Sequence, residues 1–252
     1  MAKYADSQDI TETNRNFYNA LWSNSFLEKP DRFNTWPLIS ELLPAFQNRL
    51  EIGPGLRPRL PIKGSYFIDI SATAIEQLHA MGGNALLGEF SALPFSDRQF
   101  DLVCAFDVIE HVMDDRQAFA ELSRVLKDGG VLIISVPLHE HLWTEFDDWA
   151  GHARRYDPGD LVAILLDNQL VPEKSAAFGM QPSNPGLLKF GTWCLKSSRR
   201  DAIFIYNRVM LLSMNFQKNL DMVGGLLDTT SVNEIVLVCQ RGFRSHARRS
   251  HV

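Results

Sequence analysis

Short apolar runs recur at regular intervals through the first half of the chain: Arg49 to Ile52, Tyr66 to Ile70, Ala85 to Leu87, Phe100 to Phe106 and Val131 to Val136. Between them, Thr73 to Met81 and Arg116 to Leu126 carry helical spacing. The pairs Gly82-Gly83 and Gly129-Gly130 follow, where a left-handed helix end is easiest to form. Strand, helix, strand alternation predicts a mostly parallel sheet with helices on both faces, and it places the ligand beyond the carboxyl ends of the strands.

One interval departs from this order. Leu56 to Ser65 contains Pro58 and Pro61, which leave little room for a regular crossover helix, so the first crossover is predicted to be absent or reduced to a turn. The order resumes at Asp157-Pro158-Gly159-Asp160, an N-cap with proline at the first helical position that opens a helix over Leu161 to Leu166. Val171 to Met180 and Glu234 to Gln240 then complete a seven-stranded sheet. Before the sheet, Phe17/Leu21 and Tyr18/Trp22 are spaced for an amphipathic helix laid against the core or over the cofactor, and Trp36 to Phe46 for a second.

The expected organisation is a single domain. Residues 1–47 form an N-terminal helical cap, 48–178 a cofactor-binding core, 179–232 a helical insertion, 233–241 the last strand and 242–252 a basic tail. The insertion contains apolar helical material, including Ala202 to Met214, and is left as a lid, a dimer contact or a surface for a greasy substrate. The tail, with Arg244, Arg248 and Arg249, reads as a solvated end.

A formal net charge of −5 supplies no general basic field, which argues against a nucleic-acid or anionic-lipid partner. Cys104, Cys194 and Cys239 are far apart and odd in number, as suits free thiols in a reducing compartment. The N-terminus has neither a signal core nor a transit pattern, and no stretch reaches the roughly 18 apolar residues of a membrane span. A cytoplasmic location is expected.

The first strand ends in Leu50-Glu51-Ile52-Gly53-Pro54-Gly55, an acid followed by two glycines where backbone can approach a ligand closely. Asp69 closes the second strand. Its carboxylate is placed to accept both hydroxyl protons of a ribose, or to cap the helix that begins near Ser71. Pro58 stands where the last glycine of a dinucleotide-binding turn would be, which counts against NAD.

Beyond these lie Gly88-Glu89-Phe90-Ser91-Ala92-Leu93-Pro94-Phe95, Phe100-Asp101-Leu102-Val103, Asp107-Val108-Ile109-Glu110-His111-Val112 and Leu126-Lys127-Asp128-Gly129-Gly130. In this order and spacing, from about residue 48 to 178, the chain resembles the class I S-adenosylmethionine-dependent methyltransferases, in particular the subgroup whose fourth strand leads into a D-V-x-E-H turn. The resemblance implies a Rossmann-like fold and S-adenosyl-L-methionine as cofactor. It implies that Glu51, Gly53 and Gly55 face the methionine part, that Asp69 holds the ribose, and that Ile70, Glu89 and Phe90 flank the adenine. Asp107, Val108 and His111 would form the floor of the methyl-transfer cavity, His111 in a structural role.

The stretch from His139 to Tyr156 follows the fifth strand, at the mouth of the expected cavity, and some members of the subgroup have a similar segment. His152 is the candidate general base, with Tyr156 beside it. Trp143, Arg154 and Arg155 are candidates for the acceptor side, where an arginine would clamp a carboxylate or phosphate. The alternative is an Arg-Asp network that holds the loop. His139, His141, Glu145 and Asp148 match no closed metal spacing, and no metal is expected.

The expected activity is methyl transfer to a small-molecule or lipid-like acceptor, at oxygen, by in-line displacement in a dry cavity. A non-catalytic cofactor-binding module or partner subunit is the competing reading, ahead of a nucleotide-dependent oxidoreductase. A nucleic-acid methyltransferase is disfavoured by the acidic balance.

Overall fold

The structure is a computed structural model, which describes residues 7–23, 25–179, 207 and 218–242. Most of the 179–232 insertion, including Ala202 to Met214, lies outside the described residues, as do Cys194 and nearly all of the 242–252 tail.

Eight strands form one sheet in the order β3-β2-β1-β4-β5-β8-β6-β7. They are β1 (Arg49–Ile52), β2 (Ser65–Asp69), β3 (Asn84–Leu87), β4 (Phe100–Phe106), β5 (Leu126–Pro137), β6 (Leu170–Ala177), β7 (Val223–Gly224) and β8 (Glu234–Arg241). β1 to β5 are mutually parallel, while β8 runs antiparallel between β5 and β6. Seven strands were expected; the eighth, β7, is a two-residue edge piece paired with Lys174 and Ser175, too short to leave a periodic signal.

Alternation along the strands divides the core between two faces. Leu50, Ile52, Val103, Ala105, Leu132 and Ile134 face α4 (Asp115–Val125) and α6 (Pro158–Asp167). Phe67, Leu102, Cys104, Ile133 and Val236 face α2 (Trp36–Leu42) and α3 (Ala72–Ala80). α4 buries Ala118, Phe119, Leu122 and Val125, one stripe at helical spacing, and Asp114 caps it by accepting from the Gln117 amide. α6 begins as expected, with Asp157 accepting from the amides of Gly159 and Asp160 and Pro158 in the first turn. α3 is closed just beyond its last residue by Gly82, which has φ +87° and returns its amide to His79.

The second glycine pair behaves differently. α4 stops at Val125, Leu126 is already extended, and Gly129-Gly130 lies within β5. A Cβ at Gly130 would fall 2.8 Å from the Lys127 carbonyl and 3.2 Å from that of Asp101, so close backbone approach, not a helix end, requires the glycine.

Residues 53–64 contain no helix, as the prolines dictate. The loop is strapped instead by Glu51, whose carboxylate accepts from the backbone amides of Arg59 (2.9 Å) and Leu60 (2.9 Å). α2 and the buried Leu60 cover the sheet face that a first crossover helix would occupy.

Candidate functional site

β1 lies between β2 and β4, and the chain leaves it in one direction and returns on the other side. This reversal opens a crevice at the carboxyl ends of β1 and β4. Gly53 and Gly55 turn the chain there with φ of +63° and +54°. A Cβ on Gly53 would lie 2.5 Å from Val108 Cγ2, and one on Gly55 would overlap the Trp22 ring. Both positions therefore demand glycine for space as well as for φ.

Asp69 binds this turn to the next one. Its Oδ2 accepts from the Gly55 amide and its Oδ1 from that of Ser71, both at 2.8 Å. Ser71, not Asp69, caps α3 by accepting from the Ala74 amide. Each Asp69 oxygen keeps a lone pair for a further donor. Burial pushes the carboxyl up to about 6, against the pull of the Ser71 and Gly55 amides.

The resulting cleft has a volume of about 610 Å³, within the range of small-molecule sites. Gly53, Gly55, Asp69 and Ile70 line it from the first two strands, Glu89 and Phe90 from the turn after β3, and Asp107, Val108 and His111 from the turn after β4. Glu51 is the exception among the predicted cofactor residues. It is buried beneath the turn, its oxygens serve Arg59 and Leu60, and it does not line the cleft. Burial pushes Glu51 up to about 7.

One wall comes from α1 (Ser7–Trp22), which contributes Asn14, Arg15, Tyr18 and Trp22. The four-residue spacing of its aromatics indicated the helix, and the structure sets it over the cleft. No sequence signal pointed to Arg15, which reaches Glu89 at 3.0 Å.

The groups at the cleft floor are oriented individually. Asp107 has φ +52°; its amide donates to Ser135 Oγ at 3.0 Å, and that hydroxyl donates to Asp107 Oδ1 at 2.6 Å. Glu234 stands against Asp107, and burial with that neighbouring charge raises its carboxyl well above the usual range. His111 stands between Gly151 O, 3.2 Å from Nδ1, and Tyr18 Oη, 2.9 Å from Nε2. A carbonyl only accepts, so Nδ1 carries the proton and Nε2 accepts from the tyrosine. Burial, with His152 close by, lowers His111 to about 3.

The loop after β5 folds as the Arg-Asp network. Arg155 meets Asp147 with both arms, Nε to Oδ1 at 2.8 Å and an Nη to Oδ2 at 2.9 Å, both side chains buried. Thr144 and the Nδ1 of His152 (2.9 Å) also donate to Asp147. Burial pushes Asp147 up, but hydrogen bonds from His152, Arg155 and Thr144 outweigh it and hold the group well below the usual range. Arg154 pairs with Asp115 at 2.5 Å and donates to the Val112 and Met113 carbonyls. Neither arginine is turned to the cleft as an acceptor clamp; their partners are Asp147, Asp115 and backbone.

Tyr156 also departs from expectation. It packs in the main core against Phe119, its hydroxyl donates to Asp115 at 3.2 Å, and burial raises its phenol further. It is a structural residue outside the cleft. Trp143 donates to Asp148 at 3.0 Å and does not line the cleft either. His152 sits behind His111, ring centroids 4.7 Å apart, and meets the cleft only through that ring.

The residues present fit an adenosyl sulfonium cofactor: an acid with spare acceptor capacity for a ribose, Ile70 and Phe90 for a flat apolar ring, and a glycine turn with no room for a pyrophosphate-binding helix. Residues 54–134 match the model of a methyltransferase domain. The chain is 30% identical over 119 residues to malonyl-[acyl-carrier protein] O-methyltransferase 1 of Coxiella burnetii, a match spanning 44% of this chain and 42% of that protein. It thus spans about two fifths of that relative's length. Among solved structures, an S-adenosylmethionine-dependent methyltransferase from Thermotoga maritima superposes with a TM-score of 0.57 at 17% identity, over 93% of this chain and 97% of that one. Geranyl diphosphate C-methyltransferase from Streptomyces coelicolor, solved with S-adenosyl-L-homocysteine, gives 0.55 at 14% identity over 94% and 100%. The fold is that of the Rossmann-like methyltransferases, the chain carries a methyltransferase domain, and S-adenosylmethionine is the cofactor its cleft fits.

Proposed function

We propose that this chain transfers the methyl group of S-adenosylmethionine to a small-molecule or lipid-like acceptor, at oxygen. One observation carries the reading: the turn glycines, Asp69 and the Asp107-to-His111 turn, from three separate stretches of chain, line a single cleft. The oxygen preference is supported by the relative from Coxiella burnetii, named as an O-methyltransferase.

The cofactor would supply an electrophilic methyl on a cationic sulfur. Asp69 would hold the sugar through its spare lone pairs, with Ile70 and Phe90 against the base. Val108 packs on Gly53 and Trp22 on Gly55, so the turn is fixed before any ligand arrives. This preorganisation lowers the cost of binding. Asp107 is held by Ser135 and presents a carboxylate at the floor, where an acceptor hydroxyl would donate its hydrogen bond. His111, neutral at every physiological pH, orients by hydrogen bonding and does not take up a second proton. α1 would exclude water from above. The base role expected of His152 then passes to Asp107, because His152 lies behind His111.

Calorimetric titration with S-adenosylmethionine and S-adenosylhomocysteine, with NADH as control, tests the cofactor. Transfer of labelled methyl to a panel of carboxylic acids, thioester-linked acids and phenols tests the chemistry. Binding without transfer to any acceptor would favour the non-catalytic module. Binding of NADH alone would overturn both readings.

A further inference from the structure

Behind the cleft floor, Glu110 is 1% exposed, and neither oxygen of its carboxylate has a hydrogen-bond partner. A buried carboxyl without a partner is costly, since the group gives up water and receives nothing in return. Two imidazoles stand next to it. One ligand atom from each of Glu110, His111 and His152 lies within 4.8 Å of the other two, and His152 Nε2 is 3.9 Å from Glu110 Oε1.

Both rings are fixed from behind. His152 donates Nδ1–H to Asp147 Oδ1 at 2.9 Å, and His111 donates Nδ1–H to the Gly151 carbonyl at 3.2 Å. Each backing partner sets a tautomer with Nε2 unprotonated, although that of His111 already accepts from Tyr18 Oη at 2.9 Å. A ring that donates one nitrogen to a carboxylate or carbonyl and offers the other is the arrangement that orients metal-bound histidines. Two such rings and a carboxyl with no partner bring three donor groups of metal-ligand type together.

We propose that Glu110, His111 and His152 form a binding site for a divalent transition-metal ion of the Zn²⁺ class. Two imidazoles and one carboxylate suit zinc better than magnesium, which prefers an all-oxygen shell. The 3.9 Å separation of His152 Nε2 and Glu110 Oε1 accommodates a shared ion, because two bonds of about 2.0 to 2.2 Å at a tetrahedral angle span a little less than this. Tyr18 Oη, which now donates to His111 Nε2, would yield that lone pair and remain beside the site, so the α1 wall borders the open position. The two histidines lie 41 residues apart in sequence, which is why no metal-ligand spacing was visible in the chain. The site stands whether or not the domain transfers methyl groups.

The test is calorimetry of the EDTA-stripped full chain with ZnCl₂, with MgCl₂ as the contrast, and with metal content measured after dialysis. One zinc per chain is expected, with magnesium bound at least tenfold more weakly. Glu110→Gln, which removes a ligating carboxyl that has no partner to lose, and His152→Gln should each weaken zinc at least tenfold, and zinc should raise the melting temperature of the wild type only. Zinc affinity unchanged in Glu110→Gln and His152→Gln, with both variants folded by circular dichroism, overturns the proposal. So does loss of binding only when His139 and His141 are replaced. Titration with S-adenosylhomocysteine on the same samples reports the cofactor cleft separately, so failure of one reading leaves the other measurable.

Discussion

Asp69 offers the most quantitative handle on the cleft. Its carboxyl is 6% exposed and burial raises it to about 6, while a ribose would donate to the ionised form. At pH 8 nearly every molecule carries the charge; at pH 5 about one in eleven does, so the apparent Kd should be about tenfold weaker at the lower pH. Replacement by Asn removes the charge and leaves one backbone amide unpaired. The loss of a hydrogen bond to a charged group, about 1.5 to 3 kcal/mol, corresponds to roughly 10- to 150-fold in affinity at pH 8. The Asn variant should also bind with a flat pH profile. Calorimetry with S-adenosylhomocysteine between pH 5 and 8 measures both. The sign for stability runs opposite to that for binding. The folded value lies above the unfolded one near 3.8, so the folded state holds the proton more tightly, and stability present at low pH is lost as pH rises through 6. That loss is about 3 kcal/mol. A wild-type Kd that stays within twofold from pH 5 to 8, or an Asn variant binding as tightly as wild type, would refute the ribose assignment.

Glu51→Ala should cost about 2 to 5 kcal/mol in urea unfolding, because it orphans two buried amides and removes one of the carboxylates that favour the buried Arg59 charge; a change below 1 kcal/mol would deny the strap. Tyr156→Phe removes only the bond to Asp115 and should lower stability by about 1 kcal/mol, with turnover and cofactor affinity unchanged. A hundredfold fall in turnover would restore a catalytic role. Gly55→Ala meets both a positive φ and the Trp22 ring, and should weaken cofactor binding at least tenfold; normal affinity, with the Trp22 fluorescence unmoved, would show that the turn adapts. Asp147→Ala leaves Arg155 buried without its partner and should destabilise by about 3 to 5 kcal/mol, read as a drop in melting temperature.

The sheet order was legible because its signals are local. Asp157-Pro158 sets a helix start by chain chemistry alone, and two prolines after Gly55 forbid the first crossover helix. The cleft was legible for a related reason: a parallel sheet carries the residues after β1, β2, β3 and β4 to one edge, so sequence position implies spatial position. What was not legible shares a different cause. Glu51, Arg154, Arg155 and Tyr156 are polar residues whose partners, Leu60, Asp115 and Asp147, are fixed only by tertiary packing. Nothing in the spacing of Arg154 and Arg155 distinguishes a clamp from a brace. Gly129-Gly130 misled because a glycine pair suits a helix end and a crowded strand equally well.

The missing first crossover helix also bears on how the chain folds. An ordinary βαβ unit covers its strands with a helix only a few residues away. Here α2, made before any strand, must remain unpaired until Phe67, Leu102, Ile133 and Val236 have been assembled into the sheet it covers. The closure spans nearly the whole described sequence, and a synthesised chain emerges from its N-terminus. The segment that seals this face is therefore made before every strand it covers and is among the last to find its place.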